Sequence, residues 1–287
     1  MPGPKPLASL AEIAPGYPAV LCDVWGVVHN SIVADTASVA ALARYRAGGG
    51  RVLLITNAPR AARFVEAQLE QLGVRKDAYD GIVSSGDMTR ADLETRGAMT
   101  ITYIGIPPDR SLYEGLPIAE AAPEEAAAVL CAGLFNDREE TPEDYRERLA
   151  PLAARGLEMI CANPDIVVER GDRLVYCAGS LARLYEELGG RASRYGKPYA
   201  AIYEGALARL SAVAGRPFER SEILVIGDGL PTDIAGAQRH GFDALFVTGG
   251  IHADDLHRDG RPDHEAIAAR LAAEGFEVAA YMPRLVW

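Results

Sequence analysis

The stretch Ala19-Val20-Leu21-Cys22-Asp23-Val24-Trp25-Gly26-Val27-Val28 decides how the rest of the chain is read. An apolar run of strand length leads into a single carboxylate, and a glycine follows three residues later. Ionised carboxylates are rarely buried without partners, so an aspartate where a buried strand runs out is poorly suited to packing. In an open parallel sheet, the carboxyl ends of the strands are where ligands bind. Asp23 is therefore expected to be a reactive group aimed into a crevice.

Outward from this stretch the pattern repeats. A polar turn region, His29 to Thr36, leads into a helical pattern that stops at Gly48-Gly49-Gly50. Arg51 to Thr56 is a second buried strand, ending in a hydroxyl and followed by Asn57. Val65, Leu69 and Leu72 then line one face of a helix that Gly73 ends. Gly81 to Ser84 is a third strand, and Ser84-Ser85-Gly86 is placed to cap the helix after it. Strand, helix, strand, helix, strand at this spacing predicts a parallel sheet wound right-handedly.

The middle of the chain changes character. Strands are expected at Met99 to Ile104, Ala128 to Ala132 and Glu158 to Ala162, with a loop carrying Pro107, Pro108, Pro117 and Pro123 between the first two. Thr141-Pro142 opens a helix that Pro151 should kink or end. A hairpin over Val167 to Tyr176 should turn at Arg170-Gly171-Asp172, before a helix from Ser180 to Leu188. The first pattern then resumes: a helix from Pro198 to Val213, then the apolar strand Ile223 to Gly227 leading into Asp228-Gly229. Next come a short helix from Asp233 closed by Gly241, a strand Ala244 to Thr248, a helix His264 to Glu274 and a last strand near Phe276 to Tyr281. The expected architecture is α/β: a Rossmann-like core of residues 1–86 and 191–287, with an α/β domain, 87–190, inserted in it.

The composition excludes several functions. With 287 residues, 49% of them hydrophobic, and a formal charge of −11, the chain is a globular protein ill suited to nucleic acid or an anionic membrane surface. No apolar run approaches a transmembrane span. The proline-rich start, Met1 to Pro6, lacks the apolar core of a signal peptide, so a cytoplasmic location is expected. The four cysteines, Cys22, Cys131, Cys161 and Cys177, form no C-x-x-C pair and read as buried free thiols.

Polar residues fall at the ends of the predicted core strands or just beyond: Asp23, Thr56, Lys197 within Gly196-Lys197-Pro198, and Asp228 with Asp233. Singly each has a plain structural explanation. Together, a carboxylate nucleophile, a hydroxyl, a lysine and a distal acidic pair suit phosphoryl transfer. Facing carboxylates attract Mg²⁺, and a metal with a lysine neutralises phosphate charge so that a carboxylate can attack an anion.

These segments resemble the four motifs of the haloacid dehalogenase superfamily, in the same order: Asp23-Val24-Trp25-Gly26-Val27, Thr56-Asn57, Gly196-Lys197-Pro198 and Gly227-Asp228-Gly229-Leu230-Pro231-Thr232-Asp233-Ile234. An insert between the second and third motifs is similar to the cap of the class IIA subfamily, which includes 4-nitrophenylphosphatase-like and pyridoxal-phosphatase-like enzymes. Ala162-Asn163-Pro164-Asp165 also resembles a segment of that cap. The resemblance implies an Mg²⁺-dependent phosphatase acting on a small phosphorylated metabolite, with a homodimer as its expected assembly. Asp23 would form an aspartyl-phosphate. Val24, Trp25, Gly26, Thr56, Asn57 and Lys197 would bind the phosphate, and Lys197 would also steady the carboxylates. Asp23, the Trp25 carbonyl and Asp228 would hold the metal, and Asp233 would orient Lys197 or metal-bound water. Asn163 and Asp165 are candidate substrate contacts, against a turn and capping role.

The departure from the family pattern is Trp25, where a second aspartate normally protonates the leaving group and activates water. An indole cannot transfer that proton. Loss of a positioned acid–base group costs about 10²–10⁴-fold in rate, so turnover should be slow. Trp25 could instead stack on a substrate ring or only fill space. His29 is a candidate surrogate acid, the alternative being an ordinary loop histidine. The competing functional class is a binding or regulatory protein that keeps the phosphate site without turning over. His240, His252, His257 and His264 show no metal-ligand spacing.

Overall fold

The computed structural model describes residues 3–30, 32–170 and 173–287. In chain order the strands are β1 (Ala19–Asp23), β2 (Arg51–Thr56), β3 (Gly81–Ser84), β4 (Met99–Ile104), β5 (Ile118–Glu120), β6 (Ala128–Cys131) and β7 (Glu158–Cys161). They continue as β8 (Val167–Arg170), β9 (Arg173–Tyr176), β10 (Arg191–Arg194), β11 (Ile223–Gly227), β12 (Asp243–Val247), β13 (His257–Arg258), β14 (Arg261–Pro262) and β15 (Ala280–Met282). The chain divides into two compact units, one formed by Met1–Thr56, Glu66–Val83 and Tyr203–Trp287, the other by Asn57–Val65 and Ser84–Ile202.

The first unit is built on a sheet of order β15-β12-β11-β1-β2-β3. β1 pairs in parallel with both β11 and β2, in the registers Ala19↔Ile223 and Ala19↔Arg51. The chain winds outward in one direction through β2 and β3 and in the other through β11, β12 and β15. The order thus reverses between β1 and β11, which makes a topological switch point. β1 and β11 are buried along their whole length, as expected of strands covered on both faces. The helix Thr36–Ala47 follows β1, with Asp35 accepting from the Ser38 N–H at 2.9 Å.

Two elements of this unit differ from expectation. The last strand begins at Ala280 rather than near Phe276. Gly275 adopts a left-handed conformation at the end of the helix His264–Glu274, and the Phe276 N–H closes that helix on the Leu271 carbonyl at 2.9 Å, so it cannot join a ladder. Asp233 does not begin a regular helix: Leu230–Ile234 form a wide π-type turn before the helix Ala235–Arg239.

The second unit carries a parallel sheet of order β10-β7-β6-β4-β5. Its core joins Val129, Leu149, Met159, Leu181 and Tyr185 on one side and Leu93, Ile101, Leu130 and Ile160 on the other. β8 and β9 form the expected antiparallel hairpin, whose turn residues Gly171 and Asp172 lie outside the described residues. Thr141 starts a 3-10 turn, Pro142–Tyr145, that runs into the helix Arg146–Ala154, and Pro151 does not end it. Pro151 lacks the N–H for one interior hydrogen bond, and the helix continues only three residues beyond it.

This unit is wider than the expected insert of 87–190. It also takes in 57–65, 84–86 and 191–202, for reasons visible in the bonding. Ser84 Oγ donates to the Arg60 carbonyl at 2.6 Å, and the Gly86 N–H reaches the Ala58 carbonyl at 3.0 Å. β10 pairs with β7 along Arg191 to Arg194. All four cysteines are buried and free. Among the described residues no helix is long and apolar enough to cross a membrane.

Candidate active site

In the first unit, adjacent strands deliver acidic groups to one end of the sheet. Cys22 stands opposite Ile226, so Asp23 and Asp228 leave the ends of β1 and β11 side by side. The wide turn after β11 returns Asp233 to the same place. Asp23, Asp228 and Asp233 are 7%, 5% and 0% exposed, and one carboxylate oxygen from each lies within 4.8 Å of the others. Burying three like charges together is unfavourable unless something positive offsets them. Hard divalent cations take such oxygen donors, so this set fits a metal of the Mg²⁺ type.

The backbone around the cluster is shaped to hold it. The Val24 N–H donates to Asp23 Oδ1 at 2.6 Å, the Ile251 N–H to Asp228 Oδ2 at 2.9 Å, and the Gly229 N–H to Asp233 Oδ2 at 3.1 Å. A Cβ on Gly26 or Gly250 would overlap the Asp228 carboxylate, and one on Gly227 would overlap that of Asp233. Gly26 also sits at φ +82°, a conformation that side chains resist. The contribution of Gly250-Ile251 was not anticipated from the sequence. The only signal was a Gly-Gly pair after the strand ending near Thr248.

The first-motif loop corrects one expectation and decides one open alternative. The Gly26 N–H donates to the His29 carbonyl at 2.9 Å, so Gly26 supplies conformation and space rather than a phosphate donor. His29 is no surrogate acid: it is 4% exposed, its ring meets the edge of Trp25 at 5.4 Å between centroids, and burial pushes its pKa down to about 4. At neutral pH its ring is uncharged, so there is no imidazolium to serve as the acid. Thr56 lies at the end of β2, just past the Asp23↔Ile55 pairing, and is buried. Histidines elsewhere have local partners: His252 Nε2 accepts from the Leu230 N–H at 3.3 Å, and His257 Nε2 lies 2.9 Å from Thr248 Oγ1.

The second unit holds the remaining candidates and gives several of them bonded roles. Asn57 Oδ1 accepts from the Lys197 N–H at 2.6 Å, while its Nδ2 donates to the Lys197 carbonyl at 3.1 Å and to Asp165 Oδ1 at 2.7 Å. Both amide protons are thereby engaged, so the Asn57 side chain is not a phosphate donor. Asn163 Oδ1 accepts from the Asp165 N–H at 3.0 Å, the local turn bond typical of this residue. Lys197 is 2% exposed.

A haloacid dehalogenase-like hydrolase model matches residues 20–118, and a second HAD hydrolase-like model matches 194–273. A haloacid dehalogenase-like hydrolase from Brucella suis 1330 has 44% sequence identity, full coverage of both chains and a TM-score of 0.87. The chain belongs to the haloacid dehalogenase-like hydrolase family. Other relatives are more distant. The ribonucleotide monophosphatase NagD of Escherichia coli K12 is 25% identical over 244 residues, 83% of this chain and 90% of that protein. A possible sugar phosphatase from Cytophaga hutchinsonii, at 21% identity and 99% coverage of both chains, shares the fold with a TM-score of 0.80. The protein is accordingly a hydrolytic enzyme of the haloacid dehalogenase-like kind.

Proposed function

We propose that this phosphatase, a member of the class IIA branch of its family, hydrolyses the monoester of a small phosphorylated metabolite through an aspartyl-phosphate at Asp23. The observation that carries the reading is the convergence of Asp23, Asp228 and Asp233 at the switch point of a parallel sheet. An Asp23 carboxylate oxygen attacks phosphorus and the bond to the leaving oxygen breaks, giving a phosphorylated Asp23 and an alkoxide that takes its proton from solvent water. Water then attacks the phosphorus, releasing inorganic phosphate and restoring the carboxylate. Asp23, Asp228 and the Trp25 carbonyl would hold Mg²⁺, which supplies charge neutralisation when bound. Asp233, tied to the Gly229 N–H, keeps the loop that carries Asp228 in place. Thr56 is proposed as a phosphate donor, and Lys197, on its motif, as the cation that meets the phosphate.

Trp25 favours slow turnover, because no titrating side chain stands two residues after the nucleophile and His29 is neutral. This supports a second reading, in which the protein binds a phosphorylated ligand and barely turns it over. Release of inorganic phosphate from p-nitrophenyl phosphate with Mg²⁺, wild type beside Asp23→Asn, separates the two. Mg²⁺-dependent release lost in the variant is the expected result. Equal rates in both proteins would remove Asp23 as nucleophile.

A further inference from the structure

We infer that Asn57 and Asp165 form a positioning clamp for Lys197, so that a residue of the inserted segment controls the cation of the phosphate site without touching substrate. The inference rests on the proposed role of Lys197. A single primary amide satisfies both backbone polar groups of Lys197: Asn57 Oδ1 takes the Lys197 N–H at 2.6 Å and Asn57 Nδ2 gives to the Lys197 carbonyl at 3.1 Å. The second proton of the same Nδ2 goes to Asp165 Oδ1 at 2.7 Å. That bond fixes which end of the amide is oxygen and which is nitrogen. An amide flipped about its axis would set Oδ1 against a carboxylate and against a carbonyl, two repulsive contacts.

The clamp is also closed sterically. Asn57 is 4% exposed, and a Cβ on Gly196 would overlap Asn57 Oδ1 and crowd the ring of Pro164, so only glycine fits before Lys197. Pro164 and Asp165 are themselves held by the Asn163 turn and by the Gly179 N–H, which donates to the Asp165 carbonyl at 3.1 Å. Gly179, near the start of the helix Ala178–Glu187, has no room for a Cβ against the Pro164 and Asp165 carbonyls. The Asn-Pro-Asp segment is thus a rigid bracket whose bonded output is the Lys197 backbone. Residues 108 and 140 positions apart in sequence are joined by it. Displacing a catalytic cation by about 1 Å costs up to 10²-fold in rate.

A positioning role and a substrate-contact role predict different data. Asp165→Ala should lower kcat/KM by about 10–100-fold, and by the same factor for p-nitrophenyl phosphate, phenyl phosphate and a nucleoside monophosphate, because the phosphate is common to all three. Asp165→Asn, which can still present an oxygen to Asn57 Nδ2, should recover most of the rate. Hydrogen exchange of the Lys197 amide should be accelerated in Asp165→Ala and near normal in Asp165→Asn. A loss of activity that varies with the leaving group would make Asp165 a substrate contact and overturn the clamp. So would faster Lys197 exchange with full activity, or normal exchange in Asp165→Ala. A wild type without phosphatase activity would instead defeat the proposed function. Affinity for inorganic phosphate then replaces turnover, and an Asp165→Ala protein that bound it like wild type would overturn the clamp.

Discussion

Trp25 and His29 are the residues whose chemistry departs most from what a phosphatase needs. Trp25 offers an indole where a carboxylic acid would assist departure of the leaving group, and His29 behind it is buried and neutral. Trp25→Asp is therefore expected to raise turnover, and more for phenyl phosphate than for p-nitrophenyl phosphate, since the poorer leaving group depends more on protonation. A restored acid is worth up to about 10²–10⁴-fold. Steady-state rates on the two esters measure this, and an unchanged or lower rate would assign Trp25 to substrate binding. At this scale Asp23 and Asp228 were legible because each sits where an apolar run stops, and Asp233 because it follows Asp228 by about one helical turn in the fourth-motif segment. The bonded role of Asn57 was not, because its partners Asp165 and Lys197 are remote in sequence and no local pattern links them.

At the scale of elements, helix starts were the most readable features and short strands the least. Ser84 was expected as a cap, and it forms a complete capping box: its Oγ accepts from the Asp87 N–H at 2.9 Å while Asp87 Oδ2 accepts from the Ser84 N–H at 3.0 Å. Asp87 does more than the motif foretells, since its Oδ1 also takes the Ala62 N–H at 3.0 Å, the first of a second helix. Asp87→Ala should cost about 1–2 kcal/mol, toward the upper end of single-cap losses, read as a shift in urea midpoint. β5 and β10 were missed because Ile118–Glu120 and Arg191–Arg194 have no apolar run, only a paired neighbour.

The 3-10 segment Pro107–Leu112 carries a pH-sensitive element. Asp109 is 3% exposed, and burial lifts its pKa to about 6 even with an Arg60 nitrogen 3.0 Å away. A carboxyl raised in the fold binds its proton more tightly there than in the unfolded chain. Its contribution is full below about pH 4 and is lost as pH rises through about 6. The loss of stability amounts to about 3 kcal/mol between those limits. Asp109→Asn should remove this slope, gaining on wild type from pH 4.5 to 7.5. Urea unfolding at the two pH values tests it, and a parallel offset at both would sink the assignment.

Over the whole molecule, the alternation of buried strands and helices was enough to anticipate the parallel sheet of the first unit, because fully buried strands must be continuously apolar. The limits of the two units were harder to read. They follow bonds such as Ser84 to Arg60, and the β10–β7 ladder, that tie distant segments together without leaving a composition boundary. The same long-range closure makes the first unit sensitive to its ligand. Ala19 pairs with Ile223, so the β1–β11 seam joins segments far apart in the chain, and three buried carboxylates crowd one end of it. Without a cation their repulsion works against that seam. With one, the folded state gains about 2.7 kcal/mol at a hundredfold excess over Kd. Mg²⁺ should therefore raise the melting temperature of wild type by several degrees, and chelation with EDTA should reverse the rise. Asp228→Asn removes one of the three charges, so its metal-free form should melt above metal-free wild type while responding little to Mg²⁺. Thermal unfolding of both proteins with and without the ion provides the measurement. A wild type indifferent to Mg²⁺, or an Asp228→Asn protein that responds as strongly, would show that the three carboxylates do not form a cation site.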